Sequence, residues 1–305
     1  MKDLLDKVSK DCYPYIEQGN VATYIPELAK VDKYRFGICV IDNNKDIYVT
    51  GDYKNCFTVQ SIIKPVILLL ALMDNGTEPV RRLVGVEATG KPFDAFNYSD
   101  LALKSENINP MINMGAIALW TLIKGNTYRD KFERLLELTR KICCNPEVKI
   151  DEKVYRSEKA TGNKNRALAY MLKAYGMLND DVEEVLDCYF LACSINATVV
   201  DLARLALVFA NGGINIETGE QLFERKYSRY VNAILTTSGM YDGSGEFAIN
   251  VGVPAKSGVG GGIMAVVPGR MGIGIYSPAL DKKGNSIAGI KALEMLSREL
   301  DLSIF

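Results

Sequence analysis

Phe57-Thr58-Val59-Gln60-Ser61-Ile62-Ile63-Lys64 carries the only Ser-x-x-Lys of the chain, and Pro65 follows it at the head of an apolar run that ends at Met73. Side chains three apart share a helix face, so a helix begun here would bring the Lys64 ammonium to the Ser61 hydroxyl. Taken alone the pattern is weak, because ordinary Ser and Lys usage yields roughly one such spacing per 300 residues. A solvated helix start is the ordinary alternative.

Outward from this segment, residues 34–41 (YRFGICVI) and 47–50 (IYVT) are short β-prone runs on either side of the turn-forming Asp42-Asn43-Asn44, which predicts a hairpin. A second pair, residues 262–267 (GIMAVV) and 271–277 (MGIGIYS), is joined by Pro268-Gly269-Arg270. Beyond Gly284-Asn285, apolar Ile287, Ile290, Leu293, Leu296 and Leu300 recur at helical spacing and predict a terminal helix. Between the two pairs the helix-like segments 111–123, 129–142, 166–175 and 197–210 dominate. The expected fold is α+β, a single domain of two lobes. Both chain ends, about 1–60 and 240–305, build an antiparallel sheet with the terminal helix on it, and about 61–239 forms an all-helical lobe beside it. A cleft between the lobes is the expected place for a ligand.

The 305 residues include 36 Lys+Arg and 37 Asp+Glu, a formal net charge of −1, and no histidine. The missing imidazole removes Ser-His-Asp and Cys-His nucleophile pairs and His-ligated metal sites. Proton transfer then falls to Lys, Tyr, Asp, Glu or Cys, and pH dependence is expected to follow a lysine or tyrosine. A near-neutral chain with no Lys/Arg-rich tract argues against nucleic acid or an anionic membrane as partner. The apolar run 65–73 has nine residues, whereas a bilayer crossing takes about 20. The start, MKDLLDKVSKDCYPYIEQGN, has charges where a signal peptide needs its apolar region, so a cytoplasmic location is expected. Seven cysteines without a C-x-x-C pair predict reduced structural thiols.

Lys256-Ser257-Gly258, just ahead of Gly260-Gly261-Gly262, resembles the Lys-[Ser/Thr]-Gly strand of penicillin-recognising serine hydrolases, and it follows the Ser-x-x-Lys in the order those enzymes use. The resemblance is closer to one family. ATYIPELA (22–29), FTVQSIIK (57–64), VGVEATGKPF (84–93), NPMINMGAIA (109–118), VYRSEKATGNKNRALA (154–169), LDCYFLACSI (186–195), SGMYDGSGEFA (238–248), VPAKSGVGGGI (253–263) and SPALDKKGNSIAG (277–289) are similar, in this order, to the serine-dependent glutaminases of the bacterial type. That family has a β-lactamase-like fold, acts on L-glutamine, uses no metal or organic cofactor and forms homodimers or homotetramers.

The resemblance implies a pocket of Tyr24, Ser61, Lys64, Asn113, Glu158, Asn165, Tyr189, Tyr241 and Val259. Glu158 suits the α-ammonium of glutamine, a charge-assisted bond worth about 1.5–3 kcal/mol, while Asn113, Asn165 and Tyr24 suit its α-carboxylate. Ser61 is the implied nucleophile and neutral Lys64 its base. Holding a lysine neutral near pH 7, from an ordinary pKa near 10.4, costs roughly 4 kcal/mol, and Lys256 is a candidate cation for that task, or acts through the Ser257 hydroxyl. Tyr189 and Tyr241 are further proton carriers. The backbone N–H groups of Ser61 and Val259 form the implied oxyanion hole, and the glycines around Val259 let the backbone approach the substrate. Without the resemblance, Tyr24 reads as a rim aromatic, Glu158 as a surface charge, Asn113 and Asn165 as caps or loop residues, and Tyr189 and Tyr241 as core.

Two departures stand out. Ile63 and Pro65 flank Lys64 where a small residue and a β-branched or similar one are usual, and Pro65 is expected within the first two helical turns. Met114 replaces the usual alanine after Asn113 and either narrows or backs the pocket. The competing readings are a β-lactam-interacting serine hydrolase, for which no Ser-Asp-Asn equivalent is evident, and a catalytically impaired amino-acid-binding sensor.

Overall fold

The computed structural model describes residues 1–88, 105 and 108–305, so residues 89–93 of the segment 84–93 lie outside the described residues. The chain opens with helix α1 (Lys2–Cys12), which the β-rich reading of the start did not include; its inward face is Leu5, Val8 and Cys12. The first hairpin follows as β1 (Gly37–Asp42) and β2 (Ile47–Gly51). Strand β3 (Phe57–Thr58) leads through a tight 3₁₀ turn, Gln60–Ile63, into α2 (Lys64–Asn75).

Helices α3 (Thr77–Leu83), α4 (Asn113–Leu119), α5 (Tyr128–Cys143), α6 (Glu152–Thr161), α7 (Asn163–Ala174), α8 (Val182–Cys193), α9 (Val199–Ala210) and α10 (Arg225–Ser238) occupy the middle of the chain. Two short strands among them, β4 (Lys149–Ile150) and β5 (Ile195–Ala197), join β3 in a small sheet of order β3-β5-β4. Strands of two or three residues leave no readable periodicity, which is why this addition is invisible in the sequence. After α11 (Ser244–Asn250) come β6 (Ala255–Ser257), the second hairpin β7 (Gly262–Val267) and β8 (Met271–Tyr276), and α12 (Ile287–Leu300). Among the described residues no helix is long and apolar enough to cross a membrane.

Both chain ends build the larger antiparallel sheet, of order β2-β1-β8-β7-β6, and they meet at its centre where Ile38 faces Ile275 and Val40 faces Ile273. Alternation assigns the two faces. Ile38, Val40, Ile263, Ala265, Ile273 and Ile275 pack with α1 and α12 through Leu5, Val8, Leu293 and Leu296. Cys39, Ile41, Met264 and Val266 join the core that contains α2, α8 and α9. With helices on both faces, β7 is buried at every position.

Strand β8 reads Met-Gly-Ile-Gly-Ile-Tyr, and its two glycines face α9. A Cβ at Gly272 would lie 2.0 Å from the Ala203 carbonyl oxygen, and one at Gly274 2.1 Å from that of Val199. The helix therefore rests with its backbone on the strand's backbone. Its start is fixed by a capping box, in which the Thr198 hydroxyl accepts from the Asp201 N–H and the Asp201 carboxylate accepts from the Thr198 N–H. Gly274→Ala is expected to lower unfolding free energy by about 1–3 kcal/mol. Gly245→Ala, in α11 with nothing within 4 Å of the added methyl, is expected to be neutral or stabilising by up to about 1 kcal/mol. Urea denaturation checks the pair, and equal midpoints would contradict the contact.

Candidate active site

The turn that carries Ser61 is set by Gln60, whose φ is +50°, and by two backbone bonds: Val59 N–H donates to the Ile195 carbonyl at 2.8 Å and Ile62 N–H to that of Val59 at 3.0 Å. Ser61 is the second residue of this turn and Lys64 the first residue of α2. Pro65 lies in the first turn of α2, as expected, where its missing N–H would have had no intrahelical acceptor. Lys64 keeps helical angles, φ −56° and ψ −41°, although a proline follows it.

Against this turn lies the segment after β6. A Cβ at Gly258 would sit 2.5 Å from the Val59 carbonyl oxygen and one at Gly260 2.4 Å from that of Thr58. These glycines let the backbone approach the Ser61 turn, which places Val259 between them in the pocket wall.

A cavity of about 290 Å³ opens above Ser61. Tyr24, Ser61, Asn113, Glu158, Asn165, Tyr189 and Val259 line it. Tyr24 is 56% exposed at the rim; the others are buried. Lys64 and Tyr241 stand behind the wall. The Lys64 amine donates to Asn113 Oδ1 at 2.7 Å and to the Met111 carbonyl at 3.3 Å, and Asn113 Nδ2 donates to Asn165 Oδ1 at 2.9 Å. With Oδ1 of both asparagines already accepting, what they offer a ligand is N–H, the group a carboxylate needs. The Tyr241 hydroxyl donates to the Ser257 carbonyl at 3.1 Å and is within hydrogen-bonding reach of Ser61. Met114 is buried in the core and is not among the residues that line the pocket.

Burial dominates the electrostatics. It pushes the Glu158 carboxyl up to about 8, against the pull of the Gln60 amide, the Lys64 amine and Cys193. It also pushes Tyr189 well above and Tyr241 above the usual phenol range. Lys256, wholly buried, is driven well below the ordinary lysine value by burial and then by the charge of Lys64. The residue expected to serve as a nearby cation is thus itself driven towards the neutral amine. Its amine donates to the Gly239 and Ser257 carbonyls at 3.0 and 2.6 Å and lies 4.3 Å from the Tyr241 ring centre. Ser257 Oγ is buried without a partner among the described residues, so the contact runs through the Ser257 carbonyl rather than its hydroxyl.

The profile of the glutaminase family matches residues 19–305. The chain belongs to the glutaminase family. It is 49% identical to the glutaminase of Clostridium tetani (strain Massachusetts / E88) over 305 residues, covering 100% of both chains. It is 51% identical to the glutaminase of Clostridioides difficile (strain 630) over 302 residues, covering 99% of this chain and 98% of the other. Its fold is similar to the Bacillus subtilis glutaminase in covalent complex with 5-oxo-L-norleucine, formed by reaction with 6-diazo-5-oxo-L-norleucine, at TM-score 0.91 and 36% identity, covering 100% and 99% of the two chains. Glutaminase membership decides between the readings that the Ser-x-x-Lys and Lys-Ser-Gly pair left open.

Sequence reasoning missed several residues of this glutaminase pocket. Gln60, Ile25, Thr161, Lys164 and Cys193 also line it. Gln60 adjoins Ser61, and its Nε2 donates to Glu158 at 3.4 Å and to Thr58 Oγ1 at 3.3 Å. Cys193 follows Tyr189 by four residues on α8, a spacing that signals a shared face. All seven cysteines are free thiols, as expected, five of them buried.

Glu158 is lifted into the neutral range, so a carboxyl joins the lysine and tyrosine expected to govern pH dependence. It titrates near its ordinary 4.5 when unfolded and near 8 when folded, so between those values the folded state holds a proton the unfolded chain has lost. Its contribution to stability therefore falls as pH rises from about 4.5 to 8. Glu158→Gln, neutral throughout, is expected to gain on the wild type in melting temperature across that window. A constant difference between the two melting temperatures from about pH 5 to 8 would contradict the assignment.

Proposed function

We propose that this chain hydrolyses L-glutamine to L-glutamate and ammonia through a glutamyl ester on Ser61. The observation that carries the reading is the covalent complex of the related Bacillus subtilis glutaminase with a diazo-ketone analogue of glutamine, which requires a nucleophile in the pocket. In this chain Ser61 combines a place at the pocket floor, a helix-start backbone N–H without an intrahelical acceptor, and a tyrosine hydroxyl within reach.

In the proposed cycle Ser61 Oγ attacks the side-chain amide carbon while its proton passes to the neutral Lys64 amine. Asn113 Oδ1 and the Met111 carbonyl hold the Lys64 amine in place through its N–H groups. The Ser61 and Val259 N–H groups hold the oxyanion, a contribution of about 3–4 kcal/mol per donor in comparable sites. The C–N bond then breaks, and the nitrogen leaves as ammonia with a proton returned by Lys64 or Tyr241. Water, deprotonated by the same set with Tyr189 close by, attacks the ester and restores the Ser61 hydroxyl. Glu158 takes the α-ammonium, and the N–H groups of Asn113 and Asn165 with the Tyr24 hydroxyl take the α-carboxylate.

The lobe division at about residues 60 and 240, a cytoplasmic location and assembly as a homodimer or homotetramer belong to the same proposal. They rest on the family resemblance.

Ser61→Ala is expected to cut ammonia release from L-glutamine by about 10³-fold or more, and L-asparagine, one methylene shorter, to be a far poorer substrate. Wild-type rates in Ser61→Ala would overturn the ester mechanism; equal turnover of the two amides would overturn the substrate assignment.

A further inference from the structure

Tyr241, a proton carrier of the proposed cycle, opens a tight 3₁₀ turn, Tyr241–Gly243, and its φ is +53°. A bulky L-residue is strained in that left-handed region and leaves it unless the surrounding structure forbids the move. The Tyr241 hydroxyl donates to the Ser257 carbonyl at 3.1 Å, which fixes the tip of the side chain. The backbone needs a restraint of its own.

Before the turn, the chain is seated on the sheet. Gly239 lies so close to the Ala255 carbonyl of β6 that no side chain fits there, and its own carbonyl accepts from the Ser257 N–H at 3.1 Å and from the buried Lys256 amine at 3.0 Å. After the turn comes Ser244, the buried first residue of α11. Its Oγ accepts from the Met240 N–H at 3.0 Å, and its O–H donates to the Tyr241 carbonyl at 2.9 Å. One hydroxyl thus holds the first N–H and the last carbonyl of Met240-Tyr241, using its donor and its acceptor together. Between them, the Met240 carbonyl accepts from the buried Asn285 Nδ2 at 3.1 Å. Turning Tyr241 out of its left-handed conformation swings its carbonyl relative to the Met240 N–H and opens the ring that Ser244 closes.

We propose that Ser244 is a positioning residue for Tyr241, its hydroxyl closing a ring over Met240-Tyr241 that holds the left-handed turn and with it the place of the phenol. The role rests on the reading of Tyr241 as a proton carrier. Ser244 is not among the residues that line the cavity, so its loss slows the proton-transfer steps and leaves the binding of amino acids in place.

The test uses Ser244→Ala, which removes donor and acceptor, and Ser244→Thr, which keeps both, each alone and in a Tyr241→Phe background. Steady-state ammonia release from L-glutamine is read beside hydrogen exchange of the peptide that spans residues 239–244 in the intact protein. Ser244→Ala is expected to lower kcat by about 10–100-fold, the scale of a displacement of about 1 Å, with KM within about twofold of the wild type. Exchange in the peptide is expected to quicken by about tenfold or more, and Ser244→Thr to recover most of both losses. In the Tyr241→Phe background Ser244→Ala is expected to add nothing to the loss of kcat, the signature of two residues acting as one. Wild-type kcat in Ser244→Ala, a rise in KM as large as the loss in kcat, a threonine variant no better than the alanine variant, or an undiminished loss without the phenol would each overturn the proposal. Should the alanine variant fail to fold, Ser244→Cys, which keeps the bulk and weakens both bonds, gives the same cycle, and a loss of the same size with and without the Tyr241 hydroxyl overturns it. Wild-type turnover in Tyr241→Phe would refute the reading of Tyr241 as a proton carrier, and a wild type that releases no ammonia would refute the glutaminase reaction. In either case the hold of Ser244 on the turn is judged on exchange alone, and unchanged exchange in Ser244→Ala overturns it.

Discussion

The carbonyl oxygens of Thr58 and Val59 face Gly260 and Gly258 so closely that a methyl group at either glycine would come within 2.4 or 2.5 Å of oxygen. That backbone-on-backbone contact joins the sheet to the turn that carries Ser61, and the rest of the site inherits its position from it. Gly262 continues the seam, since a Cβ there would meet Phe57 and Ile62 at 2.7 Å, and the Phe57 ring stacks on Tyr276 of β8 with centres 4.1 Å apart. Strand β8 is in turn seated on α9 at Gly272 and Gly274. The seat of α9 on β8 and that of the Gly258–Gly260 segment on the Ser61 turn are thus set backbone against backbone, and ring and side-chain contacts at Gly262 and Tyr276 join the two. Contacts without rotamers have little slack, and a site whose groups must agree to within about 0.5 Å needs that stiffness.

The legible parts of the chain are those with a period. Both hairpins, the terminal helix and the main helical segments follow from alternation, helical spacing and turn residues. Helix α1 escaped notice because its charged residues outnumber the inward Leu5, Val8 and Cys12. The pocket is legible only through family likeness, and the reason is physical. Glu158 belongs to a charged helix that exposes Glu152, Lys153 and Arg156, and only the fold reveals that it faces inward with Val154, four residues before it. Lys64 and Lys256 are wholly buried, against the strong tendency of lysine to stay at the surface. Such residues read as ordinary surface charge until the tertiary contacts are known, and sites that break a composition rule are where function is found.

The local geometry repeats this pattern. Gln60 and Tyr241 are non-glycine residues at φ +50° and +53°, and each adjoins or reaches Ser61. The neighbours hold both in a left-handed conformation that an isolated chain seldom visits, Gln60 by the paired bonds around Val59 and Tyr241 by the Ser257 carbonyl and the Ser244 hydroxyl at its own carbonyl. Strain of this kind is carried by the surrounding fold and fixes the Ser61 turn and the Tyr241 phenol in places that do not depend on flexible side-chain torsions alone.

The absence of histidine takes on a definite meaning in this setting. Around Ser61 the pocket favours neutral forms: burial raises Glu158 to about 8 and drives Lys256 towards the free amine. On the proposed reading the substrate, a zwitterion, brings the charges itself. Its ammonium makes the carboxylate form of Glu158 the favoured one, so binding near neutral pH expels a proton, and its carboxylate meets asparagine N–H groups that need no titration. An amide without the α-ammonium leaves Glu158 protonated and gains nothing from it, which makes ionisation of one buried carboxyl a test of the ligand's identity. A group that changes charge near pH 7 is usually an imidazole. Here a desolvated carboxyl occupies that range, and its pKa is set by the same wall of residues that the ligand must contact.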